Sequence, residues 1–352
     1  MKSLCVLRLS ALGDCCHALS VVQHLRAEFP GATLCWIIGK TEYELFKGLE
    51  DIEFIVFDKS KIFSSLASTF LKLRSYRFDV LLNLHASATA NLVSLCVRAN
   101  RKIGYDSERA RDKQNWFCNE SIPPRPNQHV ADAMMNFVRH LNIEANCASW
   151  TPLVLDPEED LVKANIYGGR LTCLISPCSS QGSGDKYNRS WPAENFVQLI
   201  NFLSQKKNIQ IIISGGSSAT EKSYSDYFNS QNWGQNVLNL MRKTSIREMA
   251  SLIKQSDFVI SPDSGPAHIA TIMGKPVIGI YAMSNPDRSG PYNSRARVAN
   301  RYPEALIKYN KKSVKESKWG KKIKDPAAME LVEISDVVEK VEELIEFLKD
   351  KS

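Results

Sequence analysis

Short apolar runs alternate with longer amphipathic stretches along this chain, the pattern of βα units that build a parallel sheet. The runs SLCVLRL, TLCWII, EFIVF and FDVLLNL read as the first four strands. Helices are expected between and after them at 15–28, 41–49, 62–76 and 87–97, and QHVADAMMNFVRHL (128–141) supplies another. In the first helix Leu19, Val22 and Leu25 share one face, as a helix resting on a sheet requires. The pattern lapses over 144–168, where two prolines and the acidic run DPEED precede Gly168-Gly169, and this stretch reads as a linker.

The same alternation then restarts. LTCLIS, IQIIIS, VLNL, DFVIS and PVIGIY read as strands, and PAENFVQLINFLSQ, 219–230, SIREMASLIKQ and PAHIATIMG as helices. The last stretch, ISDVVEKVEELIEFLKD, is amphipathic, with Val338, Val341, Leu344, Ile345 and Leu348 along one side. The expected fold class is α/β, with two Rossmann-like domains at 1–160 and 161–330. A terminal helix within 331–352 is expected to pack back on the first domain. Ligands of open α/β sheets bind beyond the carboxyl ends of the strands, so the chemistry is sought in the loops that follow strands.

Composition narrows the class. Hydrophobic residues at 43% and charged residues at 24% are ordinary for a soluble globular protein, and no apolar run approaches the ~20 residues that span a bilayer. The opening MKSLCVLRLSALGD is broken by Arg8 and Asp14, so it reads as a first strand rather than a signal peptide, and a cytoplasmic location is expected. Nine cysteines never spaced C-x-x-C and six dispersed histidines suggest reduced thiols and no zinc site. The net charge of +7 is localised: residues 301–324 hold nine Lys/Arg and two Glu, a surplus equal to that of the whole chain. Tyr309 and Trp319 lie among these lysines. Such a segment suits nucleic acid, an anionic membrane surface or a phosphorylated lipid.

Three stretches carry candidate chemistry. In SPDSGPAHIA (261–270) a buried strand meets a helix start, where Asp263 or Ser264 can cap, Gly265 permits close approach and Pro266 suits the first turn. The backbone N–H groups there make a diphosphate site, with His268 one turn inside. In LSALGDCCHALS (9–20) Asp14 sits at the helix cap beyond the first strand, placed either to cap or to act as a general base, and Gly13 lets a substrate near the backbone. In PCSSQGSGDKYNRSWPAENF (177–196) hydroxyls, amides and Arg189 converge as a phosphate site requires. The segment 9–20 is not a G-x-G-x-x-G fingerprint, and the chain has no Walker loop and no D-x-D triplet. No metal is expected, so fixed dipoles and cations would carry the leaving-group charge.

LSALGD, RSWPAENF and SPDSGPAHIA, in this order, resemble the lipopolysaccharide heptosyltransferases of glycosyltransferase family 9, and the resemblance spans nearly the whole chain. It implies a GT-B architecture, two Rossmann-like domains facing a central cleft. The reaction implied is inverting, metal-independent transfer of heptose from ADP-heptose to the Kdo or inner-core region of lipopolysaccharide, without a cofactor. By position Asp14 matches the catalytic base, while Asp263, Ser264, Gly265 and His268 match the donor loop. Arg189 falls where a Lys is common, Ser179 and Ser180 lie beside it, and Glu221 and Thr244 fall near the ribose and adenine. Gly13, Arg98, Arg101, Lys102, Arg109 and Arg111 are candidates for the acceptor and its phosphates. The stretch RKIGYDSERARDKQ resembles members that add the first heptose to Kdo–lipid A. A monomer in peripheral contact with the anionic inner membrane, without a nucleic-acid partner, completes the expectation. The alternatives are another GT-B transferase or epimerase using a UDP-sugar, and a non-catalytic nucleotide- or RNA-binding protein using 301–324.

Overall fold

A computed structural model describes residues 1–155, 170–179, 188–206 and 208–350. The chain forms two compact units, Met1–Val154 and Leu155–Ser352. In the first, β1 (Ser3–Leu7), α1 (Leu12–Glu28), β2 (Thr33–Gly39), α2 (Lys40–Phe46) and β3 (Glu53–Phe57) are followed by a 3-10 turn at Lys59–Lys61. Then come α3 (Ile62–Leu73), β4 (Phe78–Asn83), α4 (Ala88–Leu95), β5 (Ala99–Gly104), a 3-10 turn at Gln114–Trp116, β6 (Glu120–Ser121) and α5 (Val130–His140). The six strands order as β3-β2-β1-β4-β5-β6, with every pairing parallel. The chain reverses its direction of travel between β1 and β4, where Leu7 faces Asn83.

The second unit repeats the plan. It runs β7 (Leu171–Ile175), α6 (Ala193–Ser204), β8 (Ile209–Ile213), α7 (Ala219–Asn229), β9 (Val237–Asn239), α8 (Ile246–Gln255) and β10 (Phe258–Pro262). It continues through α9 (Gly265–Ile272), β11 (Val277–Tyr281), α10 (Pro286–Ser289), β12 (Val298–Asn300), α11 (Tyr302–Ala305) and, after a π-helical turn at Leu306–Asn310, ends on α12 (Ile334–Lys349). The order β12-β11-β10-β7-β8-β9 places this switch point between β7 and β10.

Strands buried on both faces carry unbroken apolar runs, as in VIGIY of β11. Helices close over them with ordinary capping chemistry: Ser218 and Glu221 form a capping box on α7, and Ser245 and Glu248 one on α8. All nine cysteines are free, and most are buried. Among the described residues no helix is long and apolar enough to cross a membrane.

Two expectations need correction, and the basic segment acquires a place in the fold. Val337, Val341, Leu344 and Ile345 of α12 enter the second unit's own core beside Trp191 and Leu199, so the stripe expected to reach the first domain is taken up where it arises. Helix α1 begins three residues before the expected 15, which moves Asp14 from the cap to the third helical position behind the N-cap Ala11. The basic segment is also folded into the second unit: Tyr302, Leu306 and Ile323 are buried in its core and Tyr309 packs against it. Its first cation, Arg301, is held by Asp336 at 2.6 and 2.8 Å.

Candidate active site

Asp14 stands on the first turn of α1, just beyond the carboxyl end of β1 at the first switch point. Its carboxylate accepts from Ala11 N at 3.4 Å, closing the helix start, and pairs with the Arg8 guanidinium. The Arg8 side chain is 10% exposed and Asp14 34%, so the pair has a buried cation and a carboxylate open to solvent. Arg8 is fixed from the neighbouring strand, donating through Nη1 to the Leu84 carbonyl at 2.6 Å. One residue on, Leu9 N donates to His85 Nδ1 at 3.3 Å, so the ends of β1 and β4 are tied together twice beside the Asp14 carboxylate.

Around this pair the fold gathers groups that the sequence motifs did not single out. Burial, reinforced by the charges of Arg8 and Lys59, holds His85 neutral, its pKa lowered to about 2. Glu42, on α2, is pushed above the usual carboxylate range by burial, and Lys59, bonded to Ser10 Oγ, is pushed below its usual value by burial. Glu42 favours the charged form of Lys59, and Lys59 that of Glu42. Gly39, at the end of β2, admits this packing because a Cβ there would strike the Leu9 carbonyl and the Glu42 carboxylate. A polar residue within three positions of the end of each of β1 to β4 was the available sequence signal.

The acceptor cations divide. Arg101 is locked by Glu120 in a two-pronged pair, both contacts 2.7 Å, at the β5–β6 edge. Lys102 turns its ammonium to the Ser94 carbonyl at 3.0 Å, and burial lowers its pKa. Arg98 precedes β5, so it lies at the opposite end of the sheet from Asp14, and it donates to the Arg74 carbonyl at 3.2 Å. These three are not brought to the Asp14 edge. Arg109 and Arg111 follow the carboxyl end of β5, in a loop tied to β4 by Gln114 donating to Asn83 O at 3.0 Å. Arg109 pairs with Asp106 and also donates to Pro123 O at 3.1 Å, whereas Arg111 is exposed. Gly13 lies in the first turn of α1, next to Asp14.

In the second unit, the loops after β7 and β10 flank the other switch point. Arg189 reaches Asp263 by an ion pair of 3.2 Å to Oδ2 and by contacts of 3.3 and 3.4 Å to its carbonyl. Ser284, not foreseen from sequence, donates to the same Asp263 Oδ2 at 2.7 Å. Ser264 is the N-cap of α9, yet its side chain makes no capping bond. It meets Ser261 Oγ at 2.7 Å instead, and the Ser261 hydroxyl reaches the Ser176 carbonyl at 3.1 Å. The first amides of α9, beginning at Gly265, are therefore not occupied by the Ser264 hydroxyl. His268 is buried on this helix.

Ser179 serves the loop itself: its Oγ accepts from Arg189 N at 2.8 Å and its N–H donates to Ser190 Oγ at 2.9 Å. Ser180 lies outside the described residues. Trp191 anchors the same loop from below, fully buried, donating from Nε1 to Val332 O at 2.9 Å. Glu221 curls back over the Gly215-Gly216 turn, accepting from Gly216 N at 2.5 Å and Ser218 N at 2.8 Å. Thr244 approaches Ser214 beyond the end of β8, with 3.4 Å between their hydroxyls. Among the described residues no group of three or more His, Cys, Asp or Glu gathers as a metal-ligand set.

Two doubly wound units, each with its polar cluster at a switch point, define the GT-B class of glycosyltransferases. The chain belongs to glycosyltransferase family 9 (heptosyltransferase), whose family model matches residues 66–319. It is 34% identical, over 97% of both chains, to the lipopolysaccharide core heptosyltransferase OpsX of Haemophilus influenzae. The solved family 9 glycosyl transferase of Veillonella parvula superposes with a TM-score of 0.77 at 19% identity, covering 97% of each chain. The ADP-heptose lipopolysaccharide heptosyltransferase II of E. coli gives 0.72 at 18% identity over the full length of both.

Proposed function

We propose that this glycosyltransferase moves heptose from ADP-heptose, with inversion and without a metal, to the Kdo or inner-core region of lipopolysaccharide, with Asp14 as general base. The observation that carries this reading is the Asp14 carboxylate, held from behind by a buried Arg8 at a strand switch point while one-third of it stays exposed. A carboxylate so oriented can take the proton of an attacking hydroxyl while Arg8 steadies the same group. Lower exposure would bar the acceptor, and full exposure would leave the base without orientation.

The donor diphosphate would be met by Arg189 and the first amides of α9, with the Asp263–Ser284 pair fixing the guanidinium. The leaving ADP then acquires its charge against fixed donors, and the absence of a D-x-D triplet agrees with their sufficing. Glu221 and Thr244 lie beside the β8 end and would contact the nucleoside. Arg109 and Arg111 remain the cations at the Asp14 edge for acceptor phosphates. The enzyme would work as a cytoplasmic monomer against the inner membrane, where its acceptor is embedded.

The test is ADP release from ADP-heptose by purified protein in EDTA, with and without heptose-free Kdo–lipid A, alongside Asp14→Ala and a UDP-sugar control. Acceptor-dependent release in the wild type, cut by about 10²–10⁴ in the variant with ADP binding unchanged, is expected. Release by Asp14→Ala at the wild-type rate would remove the base assignment, and release that requires a divalent cation would remove metal independence.

A further inference from the structure

Helix α3 carries more apolar surface than its sheet can cover. Leu66, Thr69 and Leu73 turn to the first unit's core, while Phe63, Phe70 and Leu71 stand in solvent at 89%, 47% and 58% exposure. Phe63 and Phe70 are two turns apart on one side of the helix. Helix α4 lies alongside, since Cys96 Sγ reaches the Leu66 carbonyl at 3.7 Å, and it adds exposed Leu92 and Leu95, one turn apart. Contiguous exposed apolar surface of this kind marks a contact site.

The charges around it choose the partner. Residues 59–104 contain eight Lys/Arg and a single acidic residue, Asp79. That carboxylate is turned to the Lys2 and Ser3 amides, at 2.6 and 3.2 Å. Lys61, Lys72 and Arg74 are all exposed on or beside α3. A two-fold contact with a second copy would set these cations against themselves. An anionic bilayer instead offers apolar depth for the rings and phosphates for the cations. In the basic segment 301–324 Tyr302 and Tyr309 pack inward.

We propose that the α3–α4 face is the surface on which this protein lies on an anionic lipid bilayer. Phe63, Phe70 and Leu71 enter the headgroup region, and Lys61, Lys72 and Arg74 meet lipid phosphates. The placement suits a lipid-borne acceptor and to that extent rests on the function proposed above. Helix α3 starts directly after the Lys59–Lys61 turn, whose Lys59 contacts Ser10 beside the Asp14 helix start, and it runs for about 18 Å. The start of this face, at Lys61 and Phe63, therefore lies beside the Asp14 edge.

The experiment is sedimentation of the full chain with phosphatidylcholine vesicles, with and without phosphatidylglycerol and free of any acceptor. It compares wild type, Phe63→Ser/Phe70→Ser, Lys72→Glu/Arg74→Glu, and Lys311→Ala/Lys312→Ala/Lys315→Ala as the control. Binding that needs phosphatidylglycerol, falls at least about tenfold in the first two variants and persists in the third is expected. The substituted side chains are exposed, so ADP affinity and melting temperature are expected to stay at wild-type values, which verifies that the variants are folded. Wild type that ignores the anionic vesicles, equal binding by the α3 variants, loss in the 311–315 variant, or a wild-type dimer dissolved by Phe63→Ser/Phe70→Ser would each overturn the proposal. Transfer of heptose to a deacylated acceptor reads the enzymatic function separately, and the α3 variants are expected to retain it.

Discussion

Replacing His85 by Asn tests whether the switch-point cluster is built around a neutral imidazole. His85 Nδ1 accepts the Leu9 amide, and burial beside Arg8 and Lys59 lowers its pKa from 6.5 to about 2. The unfolded chain takes up a proton at this ring below pH 6.5 while the native protein does not, so stability is intact above 6.5 and lost as the pH falls. Each pH unit well below that value costs about 1.4 kcal/mol. Between pH 7.5 and 5.0 the imidazole alone therefore removes about 2 kcal/mol of native stability. This figure depends only on the native pKa lying well below 5. The Asn Oδ1 can accept the same amide without titrating. Urea unfolding of wild type and His85→Asn at the two pH values, followed through the first unit, should show the wild type losing about 2 kcal/mol more. Glu42 titrates in the opposite sense: burial raises its pKa, so its contribution improves as the pH falls, but it is common to both proteins and cancels. Parallel pH profiles, or an imidazole resonance of His85 titrating near 6.5, would refute the reasoning.

Arg111→Ala is expected to raise the KM for the lipid acceptor about tenfold without altering ADP affinity, whereas Arg101→Ala, whose guanidinium is spent on Glu120, should leave both unchanged. Steady-state kinetics with varied acceptor decides between them. Glu221→Ala should destabilise the second unit by about 1 kcal/mol by opening the α7 capping box. If Glu221 also meets the ribose, calorimetry will show weaker ADP binding; destabilisation with unchanged affinity would confine the residue to capping. Trp191→Phe removes the donor to Val332 O from a fully buried site and should cost about 2 kcal/mol in denaturant unfolding, with a raised donor KM because Arg189 sits two residues away.

Local pattern was enough to read two α/β halves, most of their strands and helices, and the loops holding Asp14, Arg189 and Asp263. Apolar periodicity and capping residues act over a few positions, and those signals survive in a linear chain. Strand β5, ANRKIG, escaped notice because it has no apolar run: Arg101 and Lys102 satisfy their charges through Glu120 and the Ser94 carbonyl, which are supplied from elsewhere in the fold. The same limit hid where the acceptor candidates Arg98, Arg101 and Lys102 lie, since a basic residue says nothing about which end of a sheet it faces. The gathering of Arg8, Glu42, Lys59 and His85 around one carboxylate depends on strand order, and β1 meets β4 only once the sheet has formed. The destination of an apolar stripe was likewise settled in three dimensions. The stripe of α12 fills its own unit's core, whereas α3 turns Leu66 and Leu73 inward yet leaves Phe63 and Phe70 in water. Burial is a property of neighbours, and neighbours distant in the chain are chosen by the tertiary structure.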